Sequence, residues 1–274
     1  MEANARNSKQ QCNNIKAQYK DIDELKKLLQ NSTQFNQGFE PIKYINSGSC
    51  GIVYEGKIKS SQSPTKRVAL KFILNKLIES KREQRNNIRG KENGNEMDKV
   101  DMLVHQKLTK EIKLQTKIKH KNITSLYGVF ELQNKGSCMI LEYAKYGDLE
   151  NFQKKLLRMQ TLSETLLVYL AKQILVGLFY CHQSKIIHMD IKQQNILICE
   201  NLQAKISDFS VSFSYGGYPQ KSFVPIPLAG TSLFMSPEVL GKKRIPVESC
   251  SKVDMFSFGI LLYHLAYAGY PYGL

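Results

Sequence analysis

Three stretches of this 274-residue sequence carry residue types that could do chemistry. The first is Ile45-Asn46-Ser47-Gly48-Ser49-Cys50-Gly51-Ile52-Val53, a glycine-containing turn between two strand-like segments. Glycines at such a turn let backbone N–H groups approach phosphate oxygens where a side chain would block them. An ordinary hairpin carries two glycines just as readily. The second is Val68-Ala69-Leu70-Lys71, whose lysine is either a snorkelling edge residue or a fixed cation for phosphate. The third is His188-Met189-Asp190-Ile191-Lys192-Gln193-Gln194-Asn195, with Asp208-Phe209-Ser210, Gly230-Thr231 and Ser236-Pro237-Glu238 after it. Taken singly, Asp190 and Asp208 also suit turns, where Asp is favoured.

In this order the segments resemble the signature set of the eukaryotic protein kinase family, which runs glycine loop, V-A-I-K, H-R-D-L-K-x-x-N, D-F-G and A-P-E. The resemblance runs from about residue 41 to the last residue. It implies ATP and Mg²⁺ as cofactors and transfer of the γ-phosphate to Ser or Thr hydroxyls of a protein substrate. Lys71 then holds the α/β-phosphates and pairs with Glu111. Asn195 and Asp208 supply hard oxygen ligands to Mg²⁺. Asp190 accepts or orients the substrate hydroxyl, and Lys192 sits near the transferred phosphate. Ile45, Gly48 and Gly51 belong to the phosphate loop, and Val53, Ala69 and Leu197 sandwich the adenine. Glu142 and Ala144, flanking Tyr143, form the hinge whose backbone bonds adenine, and Asp148 is the ribose position. Asp254 is the residue that anchors the catalytic loop. Lys192, two residues after Asp190, implies the serine/threonine rather than the tyrosine branch.

The elements that must position these residues divide into a β-rich first half and a helical second half, so an α+β, bilobal kinase-like fold is expected. Residues 1–40 form an N-terminal extension, in which Ile15, Tyr19, Ile22, Leu25 and Leu29 predict one short amphipathic helix docked on the next domain. Residues 41–143 form the N-lobe, with strands at Ile52–Lys59, Arg67–Ile73 and Ser137–Tyr143 and a helix around Leu108–Lys119. The polar stretch 75–102 reads as a flexible insertion. Residues 144–274 form a partial C-lobe. Ser163 caps a helix whose apolar stripe runs from Leu166 to Leu178, and Ile196–Cys199 pairs with Ala204–Ser207. Residues 210–230 read as loop. A final apolar helix runs from Ser251 or Asp254 to about Tyr267, with Gly269 as its stop.

Hydrophobic residues make up 42% and charged residues 23%, which excludes a wholly disordered or fibrous chain. The formal charge of +15 suggests acidic partners, phosphate among them, but no aromatic–basic nucleic-acid motif accompanies it. The six cysteines are widely spaced without a C-x-x-C pair, which argues for reduced thiols in a cytoplasmic setting. Cys50, at the tip of the glycine loop, is the one thiol placed to be oxidisable. The longest apolar run, Met255–Tyr270, is broken by His264 and falls short of the roughly 20 residues of a membrane span. Partners are therefore expected to be a protein substrate and a regulatory protein, with no membrane and no nucleic acid.

Several positions depart from the family pattern. Asn46 stands for the first loop glycine, Ser210 for the glycine after Asp208-Phe209, and Phe256 for the usual Trp. Gln115 occupies a position that is normally apolar. Met189 replaces the Arg that usually grips an activation-loop phosphate, and Pro227 occupies the usual acceptor position. The two changes agree with each other and imply a kinase not switched on by that phosphate. The family's later helices would fall past Leu274, so the lobe is expected to end after the apolar helix. An ATP-binding pseudokinase scaffold is the rival reading. The length of the insertion and the wording around His188 and Asp208 resemble calcium/calmodulin-dependent protein kinase kinases.

Overall fold

The computed structural model describes residues 13, 16–30, 32–47, 51–59, 66–75, 109–132, 135–156, 158 and 160–272. Gly48, Cys50, Cys12, Ile15, Leu108 and the stretch 76–102 lie outside them. The chain forms two compact units, divided at Thr109/Lys110, Ser125/Leu126 and Tyr143/Ala144.

The first unit is built on a five-stranded antiparallel sheet: β1 (Phe39–Ser47), β2 (Ile52–Ile58), β3 (Arg67–Leu74), β4 (Leu126–Glu131) and β5 (Gly136–Glu142), in the order β1-β2-β3-β5-β4. Side chains alternate across a strand, so β3 sends Val68, Leu70, Phe72 and Leu74 to one face and Ala69 and Lys71 to the other. The first face joins Ile52, Tyr54, Cys138 and Ile140 in one apolar cluster. Two helices close that cluster, α1 (Ile22–Leu29) and α2 (Thr33–Gly38), through Leu25, Leu29 and Phe35. The single helix expected over 15–29 is divided instead, because the Asp21 side chain accepts from Asp23 N–H at 2.9 Å and caps α1 afresh. The Tyr54 hydroxyl donates to the Tyr19 carbonyl and so ties the sheet to the segment before α1. Burial then pushes the Tyr54 phenol up to about 12.

The second unit holds the helix at 109–117, which enters it at Lys110 and is called α3, and α4 (Leu149–Asn151), which continues as a π-turn through Leu156. Then come α5 (Glu164–Gln183), β6 (Ile186–Ile187), β7 (Ile196–Ile198), β8 (Ala204–Ile206), β9 (Phe213–Ser214), β10 (Phe223–Pro225), α6 (Pro237–Leu240), β11 (Arg244–Pro246) and α7 (Lys252–Tyr267). Helix α5 is long and apolar enough by composition to cross a membrane. Here Leu170, Ile174, Leu178 and Cys181 bury one of its faces against the β7–β8 hairpin and α7. Gly177 sits where a Cβ would come within 2.9 Å of the Asn122 carbonyl, so glycine lets α5 approach the segment after α3.

Ser163 occupies the N-cap of α5 as expected, without a side-chain capping bond. Two further expectations are corrected. Helix α7 ends at Ala268, in the left-handed conformation (φ 54°), with its N–H on the His264 carbonyl, rather than through Gly269. The segment 210–230 is not all loop: β9 pairs with β6 and β10 with β11, both antiparallel.

Candidate active site

On the open face of the sheet the register brings most of the expected nucleotide residues of the first unit together. Val53 is the Cα partner of Lys71, and Ala69 of Leu141. Glu142 pairs with Val68 at the end of β5. Gly51 immediately precedes β2, at a point where a Cβ would lie 2.4 Å from the Phe72 carbonyl. Ile45 is exposed on edge strand β1, whereas Lys71 is buried despite its charge. At the rim, Glu55 holds Arg67 at 2.6 Å and accepts from the Tyr143 hydroxyl at 3.1 Å.

The second unit assembles the polar residues of the His188–Asn195 loop. The Asp190 carboxylate is held at both oxygens. Thr231 Oγ1 donates to Oδ1 at 2.7 Å, Asn195 Nδ2 donates to Oδ2 at 2.8 Å, and Lys192 Nζ lies 2.7 Å from Oδ2. Lys192 Nζ also donates to Thr231 Oγ1 at 2.7 Å, which closes a ring of three side chains around the carboxylate. Thr231 is thus a first neighbour of Asp190, a role its place in the sequence did not reveal. The signal lay in Gly230, whose φ of 112° and approach to the Met189 carbonyl (2.3 Å from a built Cβ) need glycine and bring Thr231 over the loop.

The loop's own backbone is held from below. Asp254 on α7, fully buried, accepts from His188 N–H and Met189 N–H at 2.8 Å each and contacts His182 Nε2 at 2.8 Å. Met189 takes a left-handed φ of 70°, a conformation that costs a non-glycine residue about 1–3 kcal/mol and persists only where its surroundings enforce it. The Asp254 bonds supply that enforcement.

Asp208 is located through its neighbours. Ser207 gives both its N–H (2.9 Å) and its hydroxyl (3.1 Å) to the Asn195 carbonyl, and its own carbonyl faces His188 Nε2 at 2.9 Å. His188 Nδ1 accepts from Asp190 N–H at 3.3 Å, so Nε2 is the protonated nitrogen. The His188 ring meets Phe209 edge-on at 4.8 Å. Leu197 turns away from buried Ile196 and Ile198 on β7, and forms a bridge with Asp148. The Asp148 carboxylate caps α4, accepting from Asn151 N–H at 2.8 Å and Asn151 Nδ2 at 2.6 Å. Glu111, in α3, is buried. Ala144 opens the second unit's main segment. Gln115, for which the sequence offered no partner, donates to the Thr124 carbonyl at 3.2 Å.

A carboxylate clamped by a lysine, a threonine and an asparagine, on a loop pinned by a buried aspartate, is the arrangement the signature motifs demand. The family model for the protein kinase domain matches residues 39–273. The chain belongs to the protein kinase family. This kinase chain is 34% identical over 177 residues to NUAK family SNF1-like kinase 1 of Mus musculus, covering 64% of the chain and 24% of that protein. It is 31% identical over 235 residues to Serine/threonine-protein kinase TIO of Arabidopsis thaliana, covering 86% of the chain and 15% of that protein. Aurora kinase C of Mus musculus is 31% identical over 234 residues, covering 85% of the chain and 71% of that protein. The kinase chain spans about a quarter of the length of its NUAK relatives.

The donor set fits Mg²⁺. Asn195 spends its Nδ2 on the Asp190 carbonyl (2.7 Å) and carboxylate, so its Oδ1 is left as an oxygen donor beside the Ser207–Asp208 step. Among the described residues no group of three His, Cys, Asp or Glu side chains gathers to cage an ion. One carboxylate plus one amide suits a metal that takes its other ligands from phosphate and water. The four cysteines among the described residues lie away from this chemistry. Cys138, Cys181, Cys199 and Cys250 are buried, and burial pushes Cys181 up to about 12 and Cys250 to about 11.

Proposed function

We propose that the chain is the catalytic portion of a serine/threonine protein kinase, moving the γ-phosphate of Mg·ATP to a Ser or Thr hydroxyl of a protein substrate. The observation that carries this reading is the closed ring of Asp190, Lys192 and Thr231, with Asn195 bonded to the same carboxylate. In phosphoryl transfer the protein's work is mainly positioning and charge stabilisation, and bound Mg²⁺ neutralises charge on the phosphate oxygens. Asp190 orients the acceptor hydroxyl and takes its proton. Thr231 and Asn195 fix the carboxylate's two oxygens, so it cannot rotate away from that hydroxyl. Lys192 places positive charge beside the same carboxylate, where the transferred phosphoryl group passes. Asn195 Oδ1 and the Asp208 carboxylate would hold the metal, and Lys71, which family resemblance pairs with Glu111, would hold the α/β-phosphates. Val53, Ala69 and Leu197 enclose the adenine, Glu142 and Ala144 bond it through their backbone, and Asp148 meets the ribose.

The test is Mg·ATP-dependent phosphate incorporation into a Ser/Thr-rich protein, with Asp190→Asn as control. Transfer should fall by at least about a hundredfold in the variant, the scale of a lost general base, while Mg·ATP still raises its melting temperature. Equal transfer by both proteins would refute the role of Asp190. A nucleotide-dependent thermal shift with no turnover in the wild type would refute the kinase reading in favour of a scaffold.

A further inference from the structure

Helix α5 has a second apolar face. Opposite the buried stripe, Tyr169 (47%), Leu175 (37%), Val176 (45%) and Phe179 (64%) are exposed. Tyr169, Val176 and Phe179, with Lys172 between them, recur at helical spacing and form one ridge. Exposed apolar patches of this kind mark interaction sites. The ridge borders a concavity of about 480 Å³ between α5, the segment after α3 and the β7–β8 turn, with Tyr169 and Val176 on its wall. That volume lies within the roughly 300–1,000 Å³ of ligand sites.

The polar groups of this concavity sort into two sets. Two of its four amides are already engaged. Asn122 Nδ2 donates to Gln173 Oε1 (3.2 Å) and the Ala204 carbonyl (2.9 Å), and Gln173 Nε2 donates to the Leu202 carbonyl (3.0 Å). They brace the floor. Of the lining residues only Glu200 is acidic, and Lys145 Nζ neutralises it at 3.0 Å. Lys121 and Lys172 are exposed and make no ion pair among the described residues. An apolar wall with two uncompensated cations over a floor braced by Asn122 and Gln173 asks for an anionic ligand with an apolar part. The formal +15 charge of the chain adds long-range attraction for such a ligand. The hollow shape favours an inserted side chain over a flat bilayer.

We propose that this surface docks an acidic–apolar linear peptide of a protein partner, with its Asp or Glu carboxylates on Lys121 and Lys172 and a Leu, Ile or Phe side chain against Tyr169 and Val176. None of these residues belongs to the candidate active site, so the inference stands apart from the phosphotransfer reading. The test is selection of a random peptide library, about a dozen residues long, on the full chain, followed by fluorescence anisotropy of the recovered peptides. Recovered sequences should combine Asp/Glu with large apolar residues, bind less tightly as salt rises, and lose at least roughly tenfold in affinity to Lys121→Glu/Lys172→Glu. Val176→Ser, which leaves the charges in place, should weaken the same peptides. Melting temperatures check that the variants fold, and both lysines are exposed enough for that to be expected. Recovery of basic peptides, or affinity unchanged by the charge reversal, would overturn the proposal. So would phosphatidylserine vesicles, rather than any peptide, binding the wild type and losing the double variant.

Discussion

Replacing Asp254 by Asn should cost the fold about 3–5 kcal/mol and slow phosphate transfer by about a hundredfold. The carboxylate is fully buried and meets three donors: the N–H groups of His188 and Met189 and the His182 ring, each at 2.8 Å. The isosteric amide has one oxygen. It can keep His188 and His182, which share Oδ2, but its NH₂ then faces the Met189 N–H, donor against donor. The lost charge-assisted bond is worth about 1.5–3 kcal/mol and the buried N–H left unpaired about 1–3 kcal/mol. Met189 also loses the contact that holds its φ of 70°, and Asp190 is the next residue. A shift of about 1 Å in that carboxylate is enough for a hundredfold rate loss. Urea unfolding and phosphate incorporation measured on one preparation would check both halves. A variant within about 1 kcal/mol of wild type, with undiminished transfer, would refute the claim that Asp254 holds the loop.

Three further outcomes are expected. Thr231→Val breaks the ring at its only neutral member and should lower the transfer rate about ten- to a hundredfold with little change in ATP affinity, and Thr231→Ser should restore most of it. No difference between Val and Ser would remove the hydroxyl from the argument. Leu25→Ala, at a fully buried position of α1, should cost about 2–5 kcal/mol, whereas Lys26→Ala on its exposed side should stay within about 0.5 kcal/mol. Equal effects in urea melts would mean that α1 does not close the sheet's core. The Tyr54 phenol, raised to about 12 chiefly by burial and further by Asp21, keeps its proton more tightly folded than unfolded. Its contribution is whole below about pH 10 and drains away between about 10 and 12. Stability measured across that window should fall more steeply in wild type than in Tyr54→Phe, and parallel curves would contradict the assignment.

The candidate site was readable from sequence because its polar residues sit in short local segments with fixed internal spacing. Asp190, Lys192 and Asn195 lie within one loop, and their mutual bonds follow from that loop's geometry. Thr231 was under-read because it reaches Asp190 from 41 residues away, through a chain reversal that only Gly230 hints at. The same division runs through the fold. Strand β3 and helix α5 announce themselves by period, since each buries a full face. Strand β4 hides its period behind the irregular register at Leu126/Gly128, and β1, an edge strand with Pro41 in it, starts at Phe39, ahead of the N-lobe boundary expected at residue 41. The two- and three-residue strands β9 and β10 have no period to read. Their partners, β6 and β11, decide them. Ala268 shows the limit of residue rules for helix ends, because the bond to the His264 carbonyl sustains a left-handed residue one place before the glycine.

Met189 and the segment 223–226 account for each other. Family resemblance puts Met189 where an Arg usually grips a phosphate, and Pro227 where the phosphate acceptor usually stands. Met189 is buried in one apolar cluster with Val224 and Ile226 of that segment, and with Val239, Ile245 and Val253 beneath them. Strand β10 adds backbone bonds to β11, and the Val247 N–H reaches the Ser222 carbonyl at 3.0 Å. A guanidinium in this cluster would need a buried anion to offset its desolvation, and neither Met189 nor Pro227 calls for one. Packing is present whenever the chain is folded, whereas an ionic grip waits for its phosphate. The apolar residues on both sides of this contact therefore describe a segment held by the fold itself, five residues ahead of the Thr231 that enters the ring around Asp190.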